Sequence, residues 1–178
     1  ESSLTIEGVC AVLDSGLAGV GSLIIGDAGN LVLADPRLTG DPDMYDGPAY
    51  ALVDTLSVES DGTLTFELQP GAGGVQPVGS YPPVFANTAN LDGTIAARLT
   101  AASGLIADAY VYDNVIDAET RSGQFDACVI EGAFGNSLLV GIECLYDGQA
   151  NVDLRIERGT FDAVAGLSGN GAAVGSGL

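Results

Sequence analysis

Apolar and polar residues alternate through much of the chain with a period of two, which puts every second side chain on one face of a β-strand. The clearest alternation occurs twice. VGSLIIGDAGNLVLADP (Val20 to Pro36) lies over VDTLSVESDGTLTFELQP (Val53 to Pro70), matching Leu23 to Leu56, Ile25 to Val58, Gly29 to Gly62, Leu31 to Leu64 and Leu33 to Phe66, each pair 33 residues apart. Both copies read as strand, Gly-containing turn, strand. NLDGTIAARL (Asn90 to Leu99) is a partial third copy, in which Asp92-Gly93 separates Leu91 from Ile95. Near the N-terminus Leu4, Ile6, Val9 and Val12 mark strands too short to stand alone.

Repeated strand-turn-strand units cannot bury their own apolar face and do so by stacking, each unit covering the next. The expected fold is therefore all-β: a parallel β-solenoid, or right-handed β-helix, with about four to five rungs between residues 4 and 112 on a repeat spacing of roughly 20 to 30 residues. An antiparallel sandwich with turn signals at similar spacing is the alternative. Two segments, 34–50 and 69–83, hold all seven prolines. Proline cannot donate to a ladder, so both are expected to leave the stack as loops.

The pattern changes near the C-terminus. Phe125 to Phe134, Leu138 to Tyr146 and Val152 to Arg158 read as successive strands joined by Gly135-Asn136-Ser137 and Asp147-Gly148-Gln149, turn-forming compositions in which Gly and Asn tolerate positive φ. This predicts an antiparallel β-meander capping the stack, with Phe125, Leu154 and Ile156 as its core residues. The expected divisions are rungs at 1–112, the cap at 113–161 and a Gly/Ala/Ser-rich tail at 162–178.

Composition narrows the partners. Against 24 Asp and Glu the chain of 178 residues sets five Arg, no Lys and no His, a net charge of −19. Such a surface repels phosphate and anionic lipid, so nucleic acid is not an expected partner and cations are the expected small ones. No run reaches the roughly 20 apolar residues of a membrane helix, so direct membrane insertion is not expected. The first residues lack the order of a signal peptide, which places any targeting segment outside them.

The same composition limits chemistry. Without His or Lys there is no imidazole base or metal ligand and no Schiff-base amine, and no enzyme activity or cofactor is expected. Carboxylates remain. No spacing singles out a pair suited to glycoside hydrolysis. Asp41, Asp43 and Asp46 in GDPDMYDGP offer oxygens for a Ca²⁺ ion, although Asp46 stands where an EF-hand loop needs Gly; the alternative is a solvated acidic loop.

The cysteines at 10, 128 and 144 have no CxxC spacing. If Gly135-Asn136-Ser137 is a three-residue turn, Phe134 faces Leu138 and Cys128 faces Cys144. One face of that hairpin is apolar and Glu131 and Glu143 point the other way, an arrangement sheet register favours. The expected disulfide is Cys128–Cys144, with Cys10 outside it.

From Gly62 onward the chain resembles the C-terminal part of an autotransporter passenger, the secreted β-helical portion of type V secretion proteins of Gram-negative bacteria. DGTLTFELQPG with YPPVFANTANLDGTIAARL resembles the last helical rungs of such passengers. GQFDACVIEG with LLVGIECLYDGQANVDLRIER resembles the autochaperone region, and FDAVAGLSGNGAAVGSGL the stretch before the linker helix and barrel. The resemblance implies an extracellular or cell-surface location, an outer-membrane translocator barrel encoded downstream, and a C-terminal module that folds first and templates the rungs behind it. Three cysteines are more than such passengers usually carry; a short-range disulfide is the kind easily reconciled with passage through a narrow pore. A cell-surface adhesin or self-assembling module is the companion expectation.

Overall fold

The computed structural model describes residues 2–12, 16–34, 50–69, 74–76, 81–99, 109–132, 140–146, 148 and 150–159. Among them there are thirteen strands and no helix: β1 (Ser3–Ile6), β2 (Val9–Val12), β3 (Gly16–Ile25), β4 (Asn30–Leu33), β5 (Tyr50–Val58), β6 (Thr63–Leu68), β7 (Gly74–Val75), β8 (Val84–Leu91), β9 (Thr94–Leu99), β10 (Ala109–Gly123), β11 (Ala127–Glu131), β12 (Val140–Tyr146) and β13 (Val152–Arg158). The chain is all-β and its sheets are largely parallel.

Successive strands go to different sheets. The first sheet runs β1-β3-β5-β8-β10-β13-β12, with β7 also on β10, and the second runs β11-β9-β6-β4-β2. The pairs β1/β2, β3/β4, β5/β6, β8/β9 and β10/β11 are thus five strand-turn-strand units that stack in parallel. The 33-residue match is the hydrogen-bonded register: Leu23 pairs with Leu56, Ile25 with Val58, Leu31 with Leu64 and Leu33 with Phe66. The partial copy falls into line too, Ile95 pairing with Leu64.

Glycine explains the turns between paired strands. The carbonyls of Gly8, Gly29, Gly62 and Gly93 accept the N–H of Asn30, Thr63, Thr94 and Ala127, the residues at the next unit's second strand, at 2.8 to 3.2 Å. Backbone passes so close there that a Cβ on Gly62 would lie 2.6 Å from the carbonyl oxygen of Ile25. Gly93 also has a φ of 59°, in the left-handed region that favours glycine.

The core lies between the sheets. Leu23, Leu31, Leu33, Leu56, Leu64, Phe66 and Ile95 are fully buried in one cluster that continues through Tyr110, Tyr112, Leu154 and Ile156. In β5 the inward residues are Ala51, Val53, Leu56 and Val58, so the alternation changes parity at Asp54-Thr55, where two consecutive residues face outward; β8 does the same at Asn87-Thr88. A single stretch of strand therefore serves two faces of the stack.

Three expectations change. The expected boundary between 112 and 113 falls inside β10, and the stacked units extend to Glu131. The segment 69–83 does not leave the stack entirely, since β7 returns to pair with β10; residues 35–49 lie outside the described ones. The meander is not formed. β11 pairs in parallel with β9 in the second sheet, whereas β12 pairs only with β13, which in turn pairs antiparallel with β10. The reason is the core: β11 extends the ladder of Leu64 and Ile95 through Cys128, an alignment in the stack that a local hairpin cannot supply.

Candidate functional site

The C-terminal end is where polar and apolar groups converge, and the need for this begins with the fifth unit itself. Leu56 pairs with Ala89, and the next residue in that column is Arg121; Gly123 likewise follows Leu91. The last unit thus lacks the side chains that would finish the core. From the β12–β13 hairpin the Tyr146 ring covers this column, lying over the Arg121 guanidinium at 4.8 Å from its centroid, and the fully buried Val152, Leu154 and Ile156 extend the core beside Ile116, Tyr112 and Tyr110. The Tyr146 hydroxyl oxygen accepts the N–H of Phe125 at 2.9 Å, and Phe125 is buried beneath. Burial raises the Tyr146 pKa, opposed by the Phe125 hydrogen bond and the Arg121 charge.

The hairpin is pinned in three other ways. Cys128 and Cys144 come to disulfide distance, with Cα atoms 6.1 Å apart and 16 residues between them in sequence. Because β11 and β12 belong to different sheets, this pair joins the two sheets rather than two strands of a hairpin. The cysteine pair is the expected one; the register used to reach it is not present, and Cys144 pairs with Leu154 instead. Second, the Asp153 carboxylate accepts the N–H of Asn114 at 2.7 Å and the Asn151 side chain that of Ala118 at 3.2 Å. Asn114 has positive φ, and β10 shifts register between Tyr112 and Ile116, so these side chains satisfy backbone groups that the ladder leaves out.

Third, three tyrosines pack edge to face: Tyr81 on Tyr112 at 5.4 Å and Tyr110 on Tyr112 at 5.5 Å between centroids. Tyr81 donates to the carbonyl of Asp113 and Tyr112 to that of Gln69, whereas the buried Tyr110 hydroxyl has no partner among the described residues. Burial pushes Tyr81 and Tyr110 up to about 12, for Tyr81 with help from Asp113 and Asp153, and raises Tyr112 as well. On the second sheet Arg98 bridges Glu67 at 3.0 Å and Glu131 at 3.1 Å; burial works against its charge, but these two partners leave its pKa raised.

Of the residues expected to matter, Phe125, Leu154 and Ile156 are core residues of this end and Cys128 and Cys144 meet there. Cys10 is free and exposed. Asp41, Asp43 and Asp46 lie outside the described residues, among which no cluster of three or more His, Cys, Asp or Glu is placed to hold a metal. Sequence reasoning missed the tyrosines, Arg121 and Tyr146. The available signal was Arg121 itself, a charge at the position that Leu56 and Ala89 define. Comparison with known protein families, curated proteins and solved structures finds no match.

Proposed function

We propose that this chain is a non-enzymatic extracellular β-solenoid, the C-terminal passenger portion of an autotransporter, whose last residues cap the stack and nucleate its folding. The solenoid reading is supported by strands sent alternately to two parallel sheets, by the glycine column between them and by the parity change within β5 and β8. The observation that carries the capping role is the closure at Arg121, where the β12–β13 hairpin completes a core the fifth unit leaves open and the cysteine pair ties the hairpin to the other sheet. A parallel stack propagates from a stable end and needs that end covered.

Pulse-labelled hydrogen exchange during refolding tests nucleation: amides of 109–132 and 140–158 are expected to gain protection before those of β3 and β4. Earlier protection of β3 and β4 overturns it. The family reading is tested separately by the coding region downstream of Leu178, where a linker helix followed by about a dozen amphipathic strands is expected. A surface adhesin or self-assembling module is the second reading, supported by the exposure of Leu52 and Phe85 on the outer face of the first sheet. Dependence of either role on Ca²⁺ rests on Asp41, Asp43 and Asp46 alone.

A further inference from the structure

Two adjoining cavities of about 430 and 220 Å³ share Leu52, Val53 and Asn87 and form one groove across the outer face of β3, β5, β8 and β10. Its long axis follows the stack, and three strand spacings make it about 14 Å long. The floor is low at β3, where Gly19 and Gly21 carry no side chain; Ala86 and Ala118 also border the groove but turn their methyl groups to the core. One wall is apolar. Leu52 and Phe85 are register partners, 52% and 37% exposed. The other wall is polar, with Asp54 accepting a 3.2 Å hydrogen bond from Asn87 and Glu119 following beyond. Asp117, next to Phe85 in register, closes the end.

We infer that this groove binds a linear glycan that carries no negative charge. The groove is amphipathic across its width, and so is a sugar ring, whose C–H face suits Leu52 and Phe85 while its hydroxyls suit the two-oxygen carboxylates and the amide opposite. Among the described residues no Arg lines it, and the chain has no Lys or His, so uronates and sulfated chains meet carboxylates there. The strands β3, β5, β8 and β10 are each flanked by a neighbour on both sides, so the groove lies on the face of the sheet and not at an edge, which disfavours a peptide added as a strand. The inference stands on the groove and is independent of the autotransporter reading.

The test is calorimetry on the full chain with four probes: a neutral glucan hexasaccharide, a neutral N-acetylated amino-sugar hexasaccharide, a hexagalacturonate and a basic hexapeptide. At least one neutral hexasaccharide is expected to bind and the hexagalacturonate is not. Phe85→Ala and Asn87→Ala should each weaken binding about tenfold, the equivalent of about 1.4 kcal/mol. Val9→Thr, at the far edge of the other sheet, should leave it unchanged. Both groove side chains face outward, and matching thermal transitions check that the variants are folded. The inference is overturned if neither neutral hexasaccharide binds, if only the basic peptide binds, or if folded Phe85→Ala and Asn87→Ala bind as tightly as the parent chain.

Discussion

The two ends of the stack are built differently. At the N-terminal end β1 and β2 each pair on one side, are four residues long and contain no charge or proline; Val9 is 81% exposed and Cys10 is free. At the other end the first sheet turns antiparallel, its last strands pack three fully buried aliphatics, and a cysteine pair crosses to the second sheet. An uncharged parallel edge accepts further strands, whereas an antiparallel hairpin with Glu143 and Arg155 on its outer part ends the sheet. The difference teaches that closure here is achieved by changing strand direction and adding a cysteine link between the sheets, while the repeating units are held by parallel ladders, shared burial and side-chain bridges such as Arg98 to Glu67 and Glu131.

The sharpest way to break this comparison is to remove core volume at each end. Leu154→Ala is expected to destabilise by about 2 to 5 kcal/mol, and Ile6→Ala, under a single neighbouring strand, by about 2 kcal/mol or less. Urea denaturation measures both, and equal losses would mean that the C-terminal end is no more tightly held than the N-terminal one. Next in size is the cysteine pair. Cys144→Ser is expected to cost about 3 kcal/mol, because the link closes a loop of about 15 residues in the unfolded chain. Cys10→Ser should cost nothing measurable, and a reductant should lower the midpoint of the parent chain but not that of Cys144→Ser.

Alkaline pH acts on the tyrosine end. Tyr81 and Tyr110 hold their protons to a pH of about 12 in the folded chain against 10 for the ordinary group. The folded state therefore binds more protons than the unfolded state in that window. Stability is full below pH 10 and falls as pH rises towards 12. Thermal melts across this range check the sign; a flat profile would show that the ring cluster is already open to solvent. The smallest effect sharpens the same point. Tyr110→Phe removes a buried hydroxyl with no partner among the described residues and is expected to be neutral or to stabilise by up to about 1 kcal/mol, while Tyr112→Phe, which loses the bond to Gln69, is expected to cost about 1 kcal/mol.

Much of the repeating part was legible in the chain. Period two names Leu56 and Val58 in β5, Leu64 and Phe66 in β6 and Ile95 in β9 as inward, and the offset between Leu23 and Leu56 is the pairing register, because parallel units with equal lengths bring identical pattern positions side by side. Gly29 and Gly62 were readable for the same reason: no other residue fits where one turn passes over the next. The final strand was legible as well, Val152 to Arg158 agreeing residue for residue.

The C-terminal arrangement was decided by tertiary structure. Alternation in Ala127–Glu131 states which residues face inward but not which neighbour they pair with, and the nearest strand in sequence is not the one that the stack provides. The stack offered β9, an edge already in register with the core, and β11 took it. Cys128 and Cys144 still met because both face the same interior from different sheets, so the inward parity read from sequence survived when the pairing derived from it did not. Tyr110 and Tyr112 lie on β10 while Tyr81 comes from the chain just before β8, and Arg121 matters only because Tyr146 folds back over it. Local pattern fixes the face a side chain occupies; only the closed core fixes what it meets there.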